Sequence, residues 1–319
     1  MRYVRLRRAF PLAALSISAA LAASGANFPV RGSLVPVYGH KIHLYCTGAG
    51  GPAVVLEAPL AGIFKIWTPV QQTVSHFTRV CSYDRAGFGW SEPGPLPRTS
   101  EQLAVELHEA LRIADVKPPY VLVGWSAGGF PVRVFAGKFP GDVAAVVLVD
   151  SSHPDVTARL HINDNPSAGI EKWEPFLPIL HRLGVTRARL RQQEKRPASF
   201  SAADWDEFLS LRDTVNSYKA MLREGEAWRQ SFPQVRACNF GDKPLIVLTG
   251  ARDADPQWRA TWVNGMQAEL ARLSTRGKQI VLENSGHAIP FDAPDAVVDA
   301  IRALCAIAKN QLLSYECEA

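Results

Sequence analysis

Tyr120-Val121-Leu122-Val123-Gly124-Trp125-Ser126-Ala127-Gly128-Gly129 decides the fold. The apolar run 120–123 predicts a buried strand, and 127–138 predicts a helix. The GxSxG pattern of Gly124, Ser126 and Gly128 falls at the junction. A sharp strand-to-helix turn exposes the serine hydroxyl and tolerates only small neighbours. The helix that starts there offers free N–H groups and the positive end of its dipole, which suits a developing oxyanion. Ser126 is therefore the candidate nucleophile.

Working outward, strand-like runs occur at 34–37, 42–46, 54–56, 78–83, 143–149, 244–249 and 279–283. The first two flank Gly39-His40, a turn signal, and predict a hairpin. Helices are expected over 101–115, where Thr99 and Gln102 fit a capping box, and over 292–308. Strands alternating with helices imply an α/β fold, a mostly parallel sheet with helices on both faces. Between Ser151 and Asn239 no clean strand run appears, and 205–212 and 218–229 look helical. The expected organisation is a core over 27–150 and 241–319 with a helical cap insertion over 151–240. Trp173, Phe176, Trp205 and Trp228 in the insertion read as helix packing, and the basic run 189–196 as a solvated helix face.

Residues 1–26 are set apart. Arg2, Arg5, Arg7 and Arg8 precede an apolar stretch over 9–23, and small residues follow it. This reads as a secretory signal peptide and a secreted or periplasmic protein; the alternative is an uncleaved membrane anchor. No membrane span is expected after cleavage. The segment holds four arginines and no acid, so its loss takes the net charge from +5 to +1. The basic pI then gives no ground for a nucleic-acid partner. The five cysteines are too few for a disulfide scaffold, and no CxxC suggests zinc or a thioredoxin-type site. His40 and His43 are three apart in a strand, face opposite sides and make a poor metal pair. No metal or organic cofactor is called for.

A serine needs a base and the base an orienting acid. His287 follows the last predicted strand in Asn284-Ser285-Gly286-His287. Asp253 ends Gly250-Ala251-Arg252-Asp253, at the C-terminal end of a strand, where open α/β sheets place their sites. It is the first choice of acid, with Asp255 and Asp150 as alternatives. The order Ser126, Asp253, His287 is that of α/β-hydrolases. His153, near Asp150, reads as a pocket-lining or loop residue.

From about residue 35 to 308 the chain resembles the α/β-hydrolase superfamily, in its cap-bearing branch. Val54-Val55-Leu56-Glu57-Ala58-Pro59-Leu60-Ala61-Gly62, Tyr83-Asp84-Arg85-Ala86-Gly87-Phe88-Gly89-Trp90-Ser91, the Gly124–Gly129 turn, and the Gly250–Asp253 and Gly286-His287 pair carry the resemblance. It implies an oxyanion hole from the N–H groups of Ala127 and Leu60. Pro59 replaces the usual glycine and has no N–H of its own. The resemblance makes Asp84-Arg85-Ala86-Gly87 a loop that either touches substrate or braces the site through an internal ion pair. It also makes the strands bearing Cys46 and Cys81 neighbours, so those cysteines either form a disulfide or stay as buried thiols. A Cys305–Cys317 pairing is a weaker prospect. The implied activity is hydrolysis of a small-molecule carboxylic ester, or a related acyl bond, through an acyl-enzyme. Acyl transfer or perhydrolysis on the same intermediate, and non-catalytic ligand binding, are the rival readings.

Overall fold

The computed structural model describes residues 28–318, with side chains as far as 311. The proposed signal peptide lies outside the described residues, and so does the side chain of Cys317. The elements run β1 (Ser33–Val37), β2 (His40–Thr47), β3 (Ala53–Glu57), α1 (Thr68–Val74), β4 (Val80–Asp84), α2 (Ser100–Ile113), β5 (Tyr120–Trp125), α3 (Gly129–Lys138) and β6 (Val143–Val149). Then come α4 (Val156–Leu160), α5 (Leu177–Arg182), α6 (Val185–Gln193), α7 (Ala202–Arg212), α8 (Val215–Glu226) and α9 (Trp228–Arg236). The chain closes with β7 (Leu245–Gly250), α10 (Pro256–Trp258), a π-helical stretch (Arg259–Gln267), α11 (Ala268–Ala271), β8 (Gly277–Leu282), α12 (Ile289–Asp292) and α13 (Pro294–Glu318).

The eight strands form one sheet in the order β1-β2-β4-β3-β5-β6-β7-β8. The β1–β2 and β2–β4 pairs are antiparallel and the other five are parallel. β3, β4, β5 and β7 are buried along their whole length. Helices cover both faces, which is why these strands read as continuous apolar runs rather than alternating ones. Val54, Leu56, Val121, Val123, Val147 and Leu248 pack against Trp67 and Val70 near α1 and Val297, Ile301 and Leu304 of α13. Val55, Leu122, Val146, Leu148 and Val247 face the other way, onto Leu107 and Leu111 of α2 and Phe130 and Phe135 of α3. The period-2 alternation of the strands thus splits one apolar run into two cores.

All helices from α4 to α9 lie between β6 and β7. The stretch expected as one helix over 218–229 is divided at Ala227 into α8 and α9, and α9 carries Pro233. Buried charges fasten this cap to the core. Lys65 Nζ lies 2.6 Å from Glu207 and 2.9 Å from Asp204 of α7, and Arg31 reaches Glu207 at 2.7 Å. Ser231 and Gln234 of α9 accept the backbone N–H groups of Ser100 and Glu101 at the start of α2 (2.9 and 3.0 Å). Trp228 stacks on Phe130 and Trp205 on Phe208 (4.6 and 5.0 Å between centroids), whereas Phe176 is exposed. The basic run belongs to α6 only as far as Gln193; Leu190 is buried, with Arg189 and Arg191 outward.

Cys46 and Cys81 face each other across the β2–β4 ladder and form a disulfide. Among the described residues no three His, Cys, Asp or Glu side chains gather as a metal site requires, and no helix is long and apolar enough to cross a membrane.

Candidate active site

Parallel strands β3 to β8 bring their C-terminal ends to one edge of the sheet, and the candidate residues collect there. Ser126 follows β5 with φ 54°, a left-handed conformation that a non-glycine residue adopts at a cost. The strain persists because the surroundings fix it. The Ser126 carbonyl accepts N–H of Ser152 at 2.9 Å and the Ser151 hydroxyl at 3.3 Å, so the turn after β6 holds the turn after β5. A Cβ on Gly124 would collide with the backbone of Gly128 and Gly129, which is the physical reason for glycine there.

His287 Nε2 lies 3.0 Å from Ser126 Oγ, and His287 Nδ1 lies 2.6 Å from Asp150 Oδ2. A carboxylate only accepts, so Nδ1 carries the proton and Nε2 is left to accept from the serine hydroxyl. The imidazole is thus held in the tautomer a general base needs. Asp150 is 3% exposed, and its other oxygen accepts N–H of Gly250 (3.2 Å) and the indole N–H of Trp262 (3.0 Å). Trp262 sits in the π-helical stretch, a local widening often found at functional sites.

The structure corrects the expected acid. Asp253 is exposed in the turn beyond β7, and Asp255 caps α10 by accepting N–H of Trp258 at 2.8 Å. Neither meets His287. The reason lies in how the histidine loop crosses the sheet. A Cβ on Gly250 would strike the Gly286 carbonyl, so the loop runs tight over the end of β7 toward β6. Trp125 clamps it there by donating its indole N–H to the His287 carbonyl at 2.9 Å. Asp292 accepts N–H of Gly286 at 3.0 Å and pairs with Arg252, also at 3.0 Å, bracing the other side. The parts sequence reasoning missed are Trp125, Trp262 and Asp292. Trp125 is the variable position of GxSxG, and a bulky indole so close to the nucleophile was the available signal.

Ala127 lies within the 3₁₀ turn Ser126–Gly128 that leads into α3. Leu60 lies in the turn after β3, which rests on the serine turn: a Cβ on Gly128 would meet the Ala58 carbonyl. Beside them, Asp84 and Arg85 do not pair with each other. Asp84 takes His43 Nδ1 at 2.7 Å and N–H of Phe64 at 2.8 Å. Arg85 takes Glu57 at 2.6 Å and Glu224 of the cap at 2.7 Å. Burial pushes the Glu57 carboxyl up, against the pull of Arg85, and raises its hydrogen-bond partner Tyr83 well above the usual phenol range. Burial also works against the charge of Arg85, but Glu224 and Glu57 outweigh it and raise its pKa. His153 is a packed loop residue: its Nδ1 accepts N–H of Asp155 at 3.1 Å, and its Nε2 lies 3.3 Å from Glu269. Burial pulls it down to about 4, although Asp155 and Glu269 oppose the shift.

Comparison with known proteins agrees with this architecture. A sequence profile of the alpha/beta hydrolase family matches residues 42–300. The protein YqjL of Bacillus subtilis is 27% identical over 255 residues, 80% of this chain and 83% of that one. Among solved structures, Cfl2 of Burkholderia cenocepacia superposes with a TM-score of 0.66 at 24% identity, covering 85% of this chain and 94% of that one. A thermophilic esterase from Thermogutta terrifontis superposes with a TM-score of 0.61 at 20% identity, covering 86% and 98%.

Proposed function

Because the chain belongs to the alpha/beta hydrolase family, we propose that it hydrolyses a small-molecule carboxylic ester through an acyl-enzyme on Ser126. The observation that carries this reading is the unbroken relay from Ser126 Oγ through His287 to the buried Asp150. In the first half, His287 Nε2 takes the hydroxyl proton as Ser126 attacks the acyl carbonyl. Asp150 stabilises the imidazolium without accepting its proton. The N–H groups of Ala127 and Leu60 hold the oxyanion, and His287 returns the proton to the leaving alcohol. Water, activated by His287 in the same way, then releases the acid and restores the serine. The cap between β6 and β7 limits substrate size and excludes water.

A serine at the elbow disfavours chemistry that uses an aspartate nucleophile there. The test is turnover of p-nitrophenyl esters from short to long acyl chains, with fluorophosphonate labelling alongside. Wild type labels and turns over, and Ser126→Ala does neither; equal behaviour of the two proteins would end the reading. We also propose that the protein acts outside the cytoplasm. The Cys46–Cys81 disulfide supports this, because such bonds persist in oxidising compartments. An intact N-terminus on cytoplasmic protein would contradict it.

A further inference from the structure

Arg85 is where the sheet, the loop after β3 and the cap converge. It is 4% exposed and uses all five of its N–H donors. Nη1 donates to Glu57 Oε1 (2.6 Å) and the Ala58 carbonyl (2.8 Å). Nη2 donates to the Pro59 carbonyl (2.9 Å) and Glu224 Oε2 (3.0 Å), and Nε donates to Glu224 Oε1 (2.7 Å). Glu224 belongs to α8, so the two-pronged grip comes from the cap.

The Pro59 carbonyl has a second donor, N–H of Gly62 at 2.9 Å. It is therefore held from two directions. In a planar trans peptide the N–H of the next residue points opposite to that carbonyl. Fixing the Pro59 carbonyl on Arg85 thus fixes the Leu60 N–H on the far side of the same plane. Proline at 59 leaves the loop one backbone donor fewer with which to hold itself. A water-sized cavity of about 20 Å³, lined by Arg85, Glu224, Trp228 and Ala127, brings the same grip alongside the other oxyanion donor.

We propose that Arg85 and Glu224 are positioning residues for the oxyanion hole, so that the cap helix α8 sets the orientation of the Leu60 N–H. This rests on the ester-hydrolase reading of Ser126. Neither side chain touches the reacting atoms; both act through the peptide plane between Pro59 and Leu60.

The test compares two cap anchors of similar burial. Glu224→Gln weakens the grip on Arg85, and Glu207→Gln weakens the links to Lys65 and Arg31, which do not touch the loop. Each full-length variant is assayed for p-nitrophenyl ester turnover, thermal stability and inhibition by an alkyl trifluoromethyl ketone, which adds to the serine and places an oxyanion in the hole. For Glu224→Gln the expected result is kcat down about tenfold, KM within about twofold and the ketone Ki up about tenfold. Arg85→Met loses about 100-fold in kcat, the scale of one lost oxyanion donor. Glu207→Gln melts lower with an unchanged Ki. If Glu224→Gln does not fold, Glu224→Asp, which keeps the charge and shortens the reach, is read the same way. A Glu224 variant that melts lower but keeps kcat and Ki makes Glu224 an anchor only and overturns the proposal. Ser126→Ala separates the two failures. If it matches wild type, the hydrolase reading falls and takes this one with it. If it is dead while the Glu224 variant keeps full activity, only this one falls.

Discussion

Among the described residues, two histidines bind an aspartate through Nδ1 at nearly the same distance, and their surroundings differ. His287 Nδ1 meets Asp150 at 2.6 Å and His43 Nδ1 meets Asp84 at 2.7 Å. Beyond the first pair, Nε2 faces the Ser126 hydroxyl; beyond the second it faces the Arg31 carbonyl at 2.5 Å. A carbonyl has no proton to give, so His43 has nothing to activate. The side chain of His287 is 38% exposed, whereas His43 and Asp84 are both fully buried, with the His43 ring edge-on to Phe64 and Trp90. The lesson is that a carboxylate-bound histidine is a general structural device. A donor hydroxyl and access from outside equip one of the two for the general-base role proposed for it.

The largest expected effect breaks the first pair. In Asp150→Asn, Gly250 and Trp262 keep the amide oxygen, so the NH₂ turns toward His287. Nδ1 must then accept, Nε2 carries the proton, and the base is lost. Ester turnover falls about 10⁴-fold with the fold intact. Asp253→Asn in the same assay stays within about twofold, and a large loss there would return the acid to β7. Next, His43→Leu strands Asp84 in the core. Denaturant unfolding should show a loss of about 3–5 kcal/mol, with kcat of the remaining folded protein little changed. A catalytic collapse with unchanged stability would erase the contrast between the pairs.

The disulfide sharpens it further. Cys46 and His43 lie on β2, while Cys81 and Asp84 lie on β4, so two cross-links join the same strands. Reducing the bond, or replacing both cysteines with alanine, should cost about 2–4 kcal/mol. Combining this with His43→Leu should cost more than the sum if the two links substitute for each other. The smallest effect concerns a third histidine. His153 has a depressed folded pKa of about 4, so between roughly pH 6.5 and 4 the unfolded chain binds more protons. Its contribution is full above pH 6.5 and is lost as pH falls toward 4. Melting temperatures across that range should fall more steeply for wild type than for His153→Gln, and parallel curves would refute the assignment.

The fold was largely legible because buried parallel strands leave unbroken apolar runs, and Gly124–Gly128 marks a strand-to-helix turn that only small neighbours permit. That Ser126 and His287 would meet was legible from their loops. Which carboxylate meets His287 was not, because Asp150 and Asp253 both follow apolar strands and look alike in one dimension. What separates them is the path of the histidine loop over Gly250, a contact between residues 36 apart in sequence. The same limit hid the division of Asp84 and Arg85 between different partners, and the grip of Glu224 on Arg85, 139 residues away. The break at Ala227 went unread although Gly225 stands two residues before it in the last turn of α8, and Pro233 lies inside α9 rather than at the break.

The place of Asp150 has a consequence for tolerance to change. The proposed nucleophile and acid follow β5 and β6, which are adjacent and locked in register through Gly124 opposite Leu148 and Trp125 opposite Val149. Their separation is therefore set by a single interstrand spacing at the centre of the sheet. The turn that carries Asp253 is relieved of any such duty. Insertions there, or heat-induced loosening of that rim, would loosen the Arg252–Asp292 brace on the histidine loop without spreading Ser126 and Asp150 apart.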